Sequence, residues 1–376
     1  MLTRALLPAI ESRLLTSSKI VLIYGPRQAG KTTLVRQVLS NIPVRKLEIN
    51  ADELRYVDVL SSRDLNQLKQ LVEGYELLFI DEAQRIPNIG LNLKILHDGL
   101  PQLKIIVTGS SSFELANRTQ EPLTGRTWTY TLFPIATTEL RAQHNPFELR
   151  QLLDQQLLYG AYPEIFGLPN QQDKVQYLHE LSTAYLYRDV LEMANLRHPD
   201  KLRKLLSLLA LQVGSPVSLN ELGNALQMSK DTVAHYLDLL EKAFVVFRLS
   251  GFSRNLRKEV VKMDKVYFYD LGVRNAILNN FSPLAARPDA GAVWENFLVV
   301  ERRKRNAYAP SPALPYYWRT YTGAELDYVE DLDGQLAGYE FKLTKKAPQA
   351  PASWLANYPG ATYAGINRDN YLDFVL

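Results

Sequence analysis

The stretch Gly25-Pro26-Arg27-Gln28-Ala29-Gly30-Lys31-Thr32 constrains this chain more than any other. It has the form G-x-x-x-x-G-K-T, and its flanks give the pattern a physical context. Before it runs Ile20-Val21-Leu22-Ile23, with the length and branching of a buried strand. After it, Thr33-Leu34-Val35-Arg36-Gln37-Val38-Leu39 has helical spacing. Strand, glycine-rich turn and helix start together make a cradle for phosphate. Gly25 and Gly30 let the backbone turn with its N–H groups aimed inward, and the helix N-terminus adds partial positive charge. Lys31 has the reach for β- and γ-phosphates, and the Thr32 hydroxyl suits a magnesium ion. Gly25, Pro26, Arg27, Gln28, Ala29, Gly30, Lys31, Thr32 and Thr33 are therefore the candidate binding residues for a nucleoside triphosphate.

Two later strands supply the groups such a site needs. Glu76-Leu77-Leu78-Phe79-Ile80 reads as a buried strand ending in Asp81-Glu82. A carboxylate at that end suits Mg²⁺ through Asp81, and Glu82 behind it suits a general base that polarises water. Lys104-Ile105-Ile106-Val107-Thr108 leads into Gly109-Ser110, so Thr108 and Ser110 are candidates for orienting that water or sensing the γ-phosphate. A serine-rich turn explains either of them singly as well. Arg126, on the turn Leu123-Thr124-Gly125-Arg126, is a candidate arginine finger, acting within the subunit or on a neighbour.

At 376 residues the chain has room for two or three domains. It contains no cysteine, which excludes disulfides, thiolate metal sites and cysteine nucleophiles, and makes a reducing cytoplasm the expected setting. No stretch approaches 18 continuous apolar residues, so no membrane association is expected. The first residues, Met1 to Pro8, read as an amphipathic lead-in helix and not a signal peptide.

From Leu140 to Leu196 the pattern is helical, broken by the loop Tyr159-Gly160-Ala161-Tyr162-Pro163-Glu164. Beyond it the spacing predicts three helices: one through Leu202–Leu209, one capped by Ser218 with Glu221 three positions on, and one capped by Ser229. The β-rich run Phe244–Leu249 follows. Helix, short turn, helix and hairpin is the order of a winged helix-turn-helix. Residues 197–265 carry 12 Lys and Arg against 7 Asp and Glu, so this segment's +5 exceeds the +3 of the whole chain. Lys230, Arg254, Arg257, Lys258 and Lys262 are the candidate DNA contacts. The third helix offers only Lys230, His235 and Tyr236 for reach, and winged helices also serve as protein-contact modules.

The last hundred residues return to an α/β pattern. A helix through Trp294–Glu301 precedes the basic cluster Arg302-Arg303-Lys304-Arg305, and strands run through Tyr316–Thr320, Ala324–Val329 and Leu336–Leu343. Adjacent antiparallel strands can bring Asp327, Glu340 and Lys342 to one point, with Glu295 completing a Mg²⁺ site for phosphodiester hydrolysis. Alternating charges on a strand also describe a plain solvated face.

Taken together, these blocks resemble a large prokaryotic family of predicted ATPases of the AAA+ superfamily. The resemblance rests on Gly25–Leu34, Phe79-Ile80-Asp81-Glu82-Ala83-Gln84, Thr108-Gly109-Ser110-Ser111, Leu123–Arg126 and Tyr159–Glu164. It implies an α/β fold: an AAA+-type P-loop NTPase domain with a parallel sheet (1–142), a helical linker or lid (143–196), a winged helix-turn-helix (197–270) and a C-terminal α/β PD-(D/E)xK nuclease-like domain (271–376). It further implies ATP and Mg²⁺ as cofactors, DNA as a partner, and a homo-oligomer as a ring or filament if Arg126 acts on a neighbour. A regulatory switch contacting protein and an ATP-gated metal-dependent nuclease are the alternatives. Two positions depart from the family pattern: Ala161 stands where glycine is usual, and Leu326, not proline, precedes Asp327.

Overall fold

The computed structural model describes residues 2–110, 123–194, 199–253, 263–344 and 348–376, with side chains apart from those of 184–194 and 199. These residues divide into two compact units, one of residues 1–135 with 242–244, the other of 136–241 and 245–376.

In the first unit, helix α1 (Leu7–Thr16) precedes strand β1 (Ile20–Tyr24), followed by α2 (Lys31–Asn41), β2 (Lys46–Asn50), α3 (Leu54–Leu60), α4 (Leu65–Leu71), β3 (Leu77–Asp81), α5 (Ile89–Gly99), β4 (Lys104–Gly109) and β5 (Thr127–Thr131). The five strands form one parallel sheet in the order β2-β3-β4-β1-β5. The continuous apolar runs of β1, β3 and β4 follow from burial on both sheet faces. Because the strands are parallel, everything that directly follows β1, β3 and β4 gathers at one edge. That edge carries the 25–32 loop, Asp81-Glu82 and Ser110.

The second unit opens with helices α6 (Pro146–Tyr159) and α7 (Gln171–Ala194), then α8 (Pro199–Leu211), α9 (Leu219–Leu226), α10 (Lys230–Lys242), an antiparallel hairpin of β6 (Val246–Leu249) and β7 (Lys265–Phe268), and α11 (Leu271–Ile277). The expected caps are in place: the Ser218 hydroxyl accepts from the Glu221 N–H at 3.3 Å and Ser229 from Thr232 N–H at 3.1 Å. An isolated bridge from Pro216 to Lys265 adds a third short extended segment to the hairpin. Tyr236 is buried among the core residues of α10, so it is not available for the external reach expected of it; His235 and Lys230 are exposed.

The chain then forms α12 (Ala290–Tyr308), β8 (Leu314–Arg319), β9 (Glu325–Leu332), β10 (Gln335–Phe341), α13 (Ala352–Asn357), β11 (Thr362–Ile366) and α14 (Tyr371–Val375). The sheet order is β11-β10-β9-β8, antiparallel except for the parallel β10–β11 pair, and its core is Trp318, Leu326, Val329, Leu336 and Trp354 with Phe252. The Asp333-Gly334 turn between β9 and β10 has φ values of +51° and +85°, as a two-residue hairpin turn requires. The basic cluster 302–305 does not follow a helix but lies within α12, and its charges are used internally. Arg302 holds Glu330 at 2.6 and 2.8 Å, Arg303 stacks over Phe247 and Tyr269, Lys304 pairs with buried Glu301 at 2.7 Å, and Arg305 donates to the Leu376 carbonyl. Among the described residues no helix is long and apolar enough to cross a membrane.

The Gly160 loop shows why its sequence is restricted. Gly160 ends α6 at φ +71°, ψ −157°, a region essentially confined to glycine. Its missing side chain leaves room for buried Asp270: a Cβ there would lie 2.0 Å from Oδ1. Asp270 caps α11 by accepting from Val273 N–H and also accepts from Ala161 N–H at 2.7 Å. Gly160→Ala is therefore expected to lower unfolding stability by about 3 kcal/mol or more, combining backbone strain with a displaced buried carboxylate. Denaturant unfolding of the variant measures it.

Candidate active site

The loop after β1 closes on itself. Gly25 adopts φ +148°, and a Cβ there would lie 2.0 Å from the Leu132 carbonyl oxygen, so only glycine fits this approach. Gly30 takes φ +93° immediately before α2. Lys31, 5% exposed, donates to the carbonyls of Gly25 and Pro26 at 2.9 Å each. Its ammonium thus sits against the turn that follows β1.

Asp81, at the end of β3, accepts from the Thr32 hydroxyl through Oδ2 at 2.7 Å and from the buried Thr108 hydroxyl through Oδ1. The pairing of Ile80 with Val107 in neighbouring strands sets Thr108 beside Asp81, as the parallel arrangement requires. Glu82 leaves the strand in the left-handed region, φ +54° and ψ +39°, a conformation that costs a non-glycine residue on the order of 1 kcal/mol or more. Its carboxylate accepts from Gln84, whose same nitrogen donates to Ser110 Oγ at 2.9 Å. Gln84 Oε1 is buried with no hydrogen-bond partner among the described residues. An ammonium, a hydroxyl, an adjacent carboxylate and a second strained carboxylate at one sheet edge fit a triphosphate with a divalent ion.

Arg126 stands elsewhere. It directly precedes β5, and its backbone carbonyl accepts from Ile20 N–H at the start of β1. At about 3.3 Å per strand residue it lies roughly 16 Å along β1 from the loop, at the opposite sheet edge. There its guanidinium pairs with Asp98 at 2.8 and 3.1 Å, which holds the Asp98 carboxyl down at about 2. The within-subunit form of the expected finger is not assembled in this conformation.

In the C-terminal sheet the expected metal cluster takes a different form. Asp327 and Glu295 do converge, but on Lys265, a residue outside the expected set. Its ammonium lies 3.0 Å from Glu295, 2.6 Å from Glu325 and 3.9 Å from Asp327. Tyr267 donates to Glu295 at 2.7 Å, and Asp327 accepts from Phe341 N–H at 2.7 Å. Burial, with Glu295 adding to it, pushes the Asp327 carboxyl up to about 7. Glu340 pairs instead with Lys342 at 3.0 Å. Among the described residues no group of three His, Cys, Asp or Glu is arranged to hold a metal ion.

Comparison with known proteins agrees with this division. An AAA domain matches residues 17–141, and two domains of unknown function match 150–284 (DUF8612) and 290–359 (DUF4143). Uncharacterized proteins of Mycobacterium tuberculosis and Mycobacterium bovis are each 31% identical over 335 residues, covering 88% of this chain and 72% of theirs. The chain belongs to their family of AAA-domain proteins. An uncharacterized protein of Methanocaldococcus jannaschii is 26% identical over 311 residues, covering 77% of this chain and 68% of its own. A solved Walker-type ATPase of Pyrococcus abyssi matches 74% of this chain and 96% of its own, with a TM-score of 0.54 and 18% identity. The fold of the first unit is thus that of AAA-type P-loop NTPases.

Two residues outside the expected site set also engage this region of the AAA-domain protein. Buried Arg4, ahead of α1, donates to the Ala29 carbonyl and to the Phe133 carbonyl at 2.6 Å each, clamping the phosphate loop from behind. Gln84 links Glu82 to Ser110. Of the expected DNA contacts, Arg254, Arg257, Lys258 and Lys262 lie outside the described residues, and Lys230 is exposed at the start of α10.

Proposed function

We propose that the chain is a Mg²⁺-dependent ATPase that couples its nucleotide state to DNA binding. The observation that carries the first part is the convergence of Lys31, Thr32, Asp81, Thr108 and Glu82 at one sheet edge. In this reading Lys31 exchanges the Gly25 and Pro26 carbonyls for phosphate oxygens, and Thr32 with Asp81 holds Mg²⁺. The bound ion supplies charge neutralisation for phosphoryl transfer. Thr108 fixes the Asp81 rotamer, Glu82 polarises the attacking water, and Gln84 relays the position of Ser110 to Glu82.

DNA is favoured as partner by two features of the second unit. Helices α8, α9 and α10 with the β6–β7 hairpin have the order and pairing of a winged helix (197–270), and that segment holds the chain's basic excess. The order α12, three antiparallel strands, α13 and a strand parallel to β10 supports a restriction-endonuclease-like domain (271–376). The seating of Lys265 among its carboxylates favours a binding role for that domain over cleavage. The test is duplex binding by the full chain with a non-hydrolysable ATP analogue and with ADP. Affinity should differ between the two states and fall steeply with salt. No binding at low salt in either state would leave the protein-contacting switch as the better reading.

Arg126, at the far sheet edge, acts on a neighbouring subunit in this reading, which requires a homo-oligomer. Mixing Arg126→Ala and Lys31→Ala chains, each inactive alone, is expected to restore a fraction of wild-type hydrolysis. No recovery in mixed oligomers would confine Arg126 to its Asp98 pair.

A further inference from the structure

Lys265, 1% exposed, is with Lys304 one of two fully enclosed ammonium groups among the described residues of the second unit. It belongs to β7, where it pairs with Leu249 and bridges to Pro216, yet its side chain ends in the C-terminal fold. Glu295 comes to it from α12, and Glu325 and Asp327 from one face of β9, two residues apart as strand alternation requires. The Tyr317 ring lies 5.3 Å away and Tyr267 donates its hydroxyl to Glu295, so the remaining surroundings are protein. Three carboxylates drawn from two elements around one buried cation are a cation-binding arrangement. A divalent ion would need their oxygens within about 2.0–2.6 Å, which is incompatible with an ammonium already in their midst.

We propose that Lys265 is a tethered cation permanently occupying the Glu295–Glu325–Asp327 pocket, and that the pocket accepts a divalent metal ion only when that ammonium is removed. The pocket is then a clasp joining the β6–β7 hairpin to the C-terminal sheet, and the nuclease-like unit carries no metal of its own there. The inference makes no use of the nucleotide site, so it stands or falls independently of the ATPase reading.

The test uses the full chain, stripped of metal and nucleotide, titrated with MnCl₂ while free Mn²⁺ is read by electron paramagnetic resonance. Wild-type uptake should be unchanged by Asp327→Asn. Lys265→Met should take up one additional Mn²⁺ per chain, at least tenfold tighter than any wild-type site, and Lys265→Met/Asp327→Asn should lose it. If Lys265→Met alone does not fold, Lys265→Met/Glu325→Gln removes one stranded charge, keeps Glu295 and Asp327, and is expected to show the same gain. Wild-type uptake abolished by Asp327→Asn, or a folded Lys265 variant with no added uptake, overturns the proposal.

Discussion

Lys31→Ala is expected to weaken nucleotide binding by at least about 100-fold and to leave no measurable hydrolysis. The ammonium is buried against the 25–32 turn, where it donates to two backbone carbonyls. Charge-assisted hydrogen bonds to phosphate contribute roughly 1.5–3 kcal/mol each, so losing two of them corresponds to about 3–6 kcal/mol. Alanine cannot supply either. Fluorescent-nucleotide titration of the folded variant measures the loss; affinity within tenfold of wild type would mean the triphosphate binds elsewhere.

Glu82→Gln is expected to separate binding from turnover. The amide keeps the shape and an oxygen acceptor for Gln84, so nucleotide affinity should stay within about threefold. It cannot accept a proton from water, and removal of a general base typically costs about 10²- to 10⁴-fold in rate. Phosphate release under single-turnover conditions measures it. A variant that hydrolyses within tenfold of wild type would reassign the water-activating role, with Ser110 and Thr108 as the remaining groups at that edge.

Much of the nucleotide site was legible because its determinants are local. The branched run before Gly25, the helical spacing after Thr33 and the carboxylate ending β3 fix strand, turn and helix within a few residues of each other. A parallel sheet then gathers the ends of β1, β3 and β4 without further information. The same rule sets Arg126 apart from that edge: a residue that precedes a strand lies at the edge opposite one that follows a parallel neighbour, which leaves the neighbouring-subunit form of the expected finger. The caps at Ser218 and Ser229 are local in the same way, and both are present.

What was not legible depended on side chains that cross long stretches of sequence. Arg4 meets the Phe133 carbonyl and Lys265 meets Glu325 through tertiary packing that no spacing encodes. The expected helix end before the cluster 302–305 is likewise not local, because α12 continues through it to Tyr308. Once α12 packs against the sheet, Glu330, Glu301 and the Leu376 carbonyl neutralise or engage it. The Gln84 link from Glu82 to Ser110 depends on the left-handed turn at Glu82, which bends the chain so that residues two apart meet.

The most direct measurement is isothermal titration of the wild-type chain with a non-hydrolysable ATP analogue, with and without Mg²⁺. One site per chain is expected, tighter with the ion than without it, and the ion's contribution should vanish in Asp81→Asn. An absence of heat with folded protein, or a site whose Mg²⁺ dependence survives Asp81→Asn, would contradict the account.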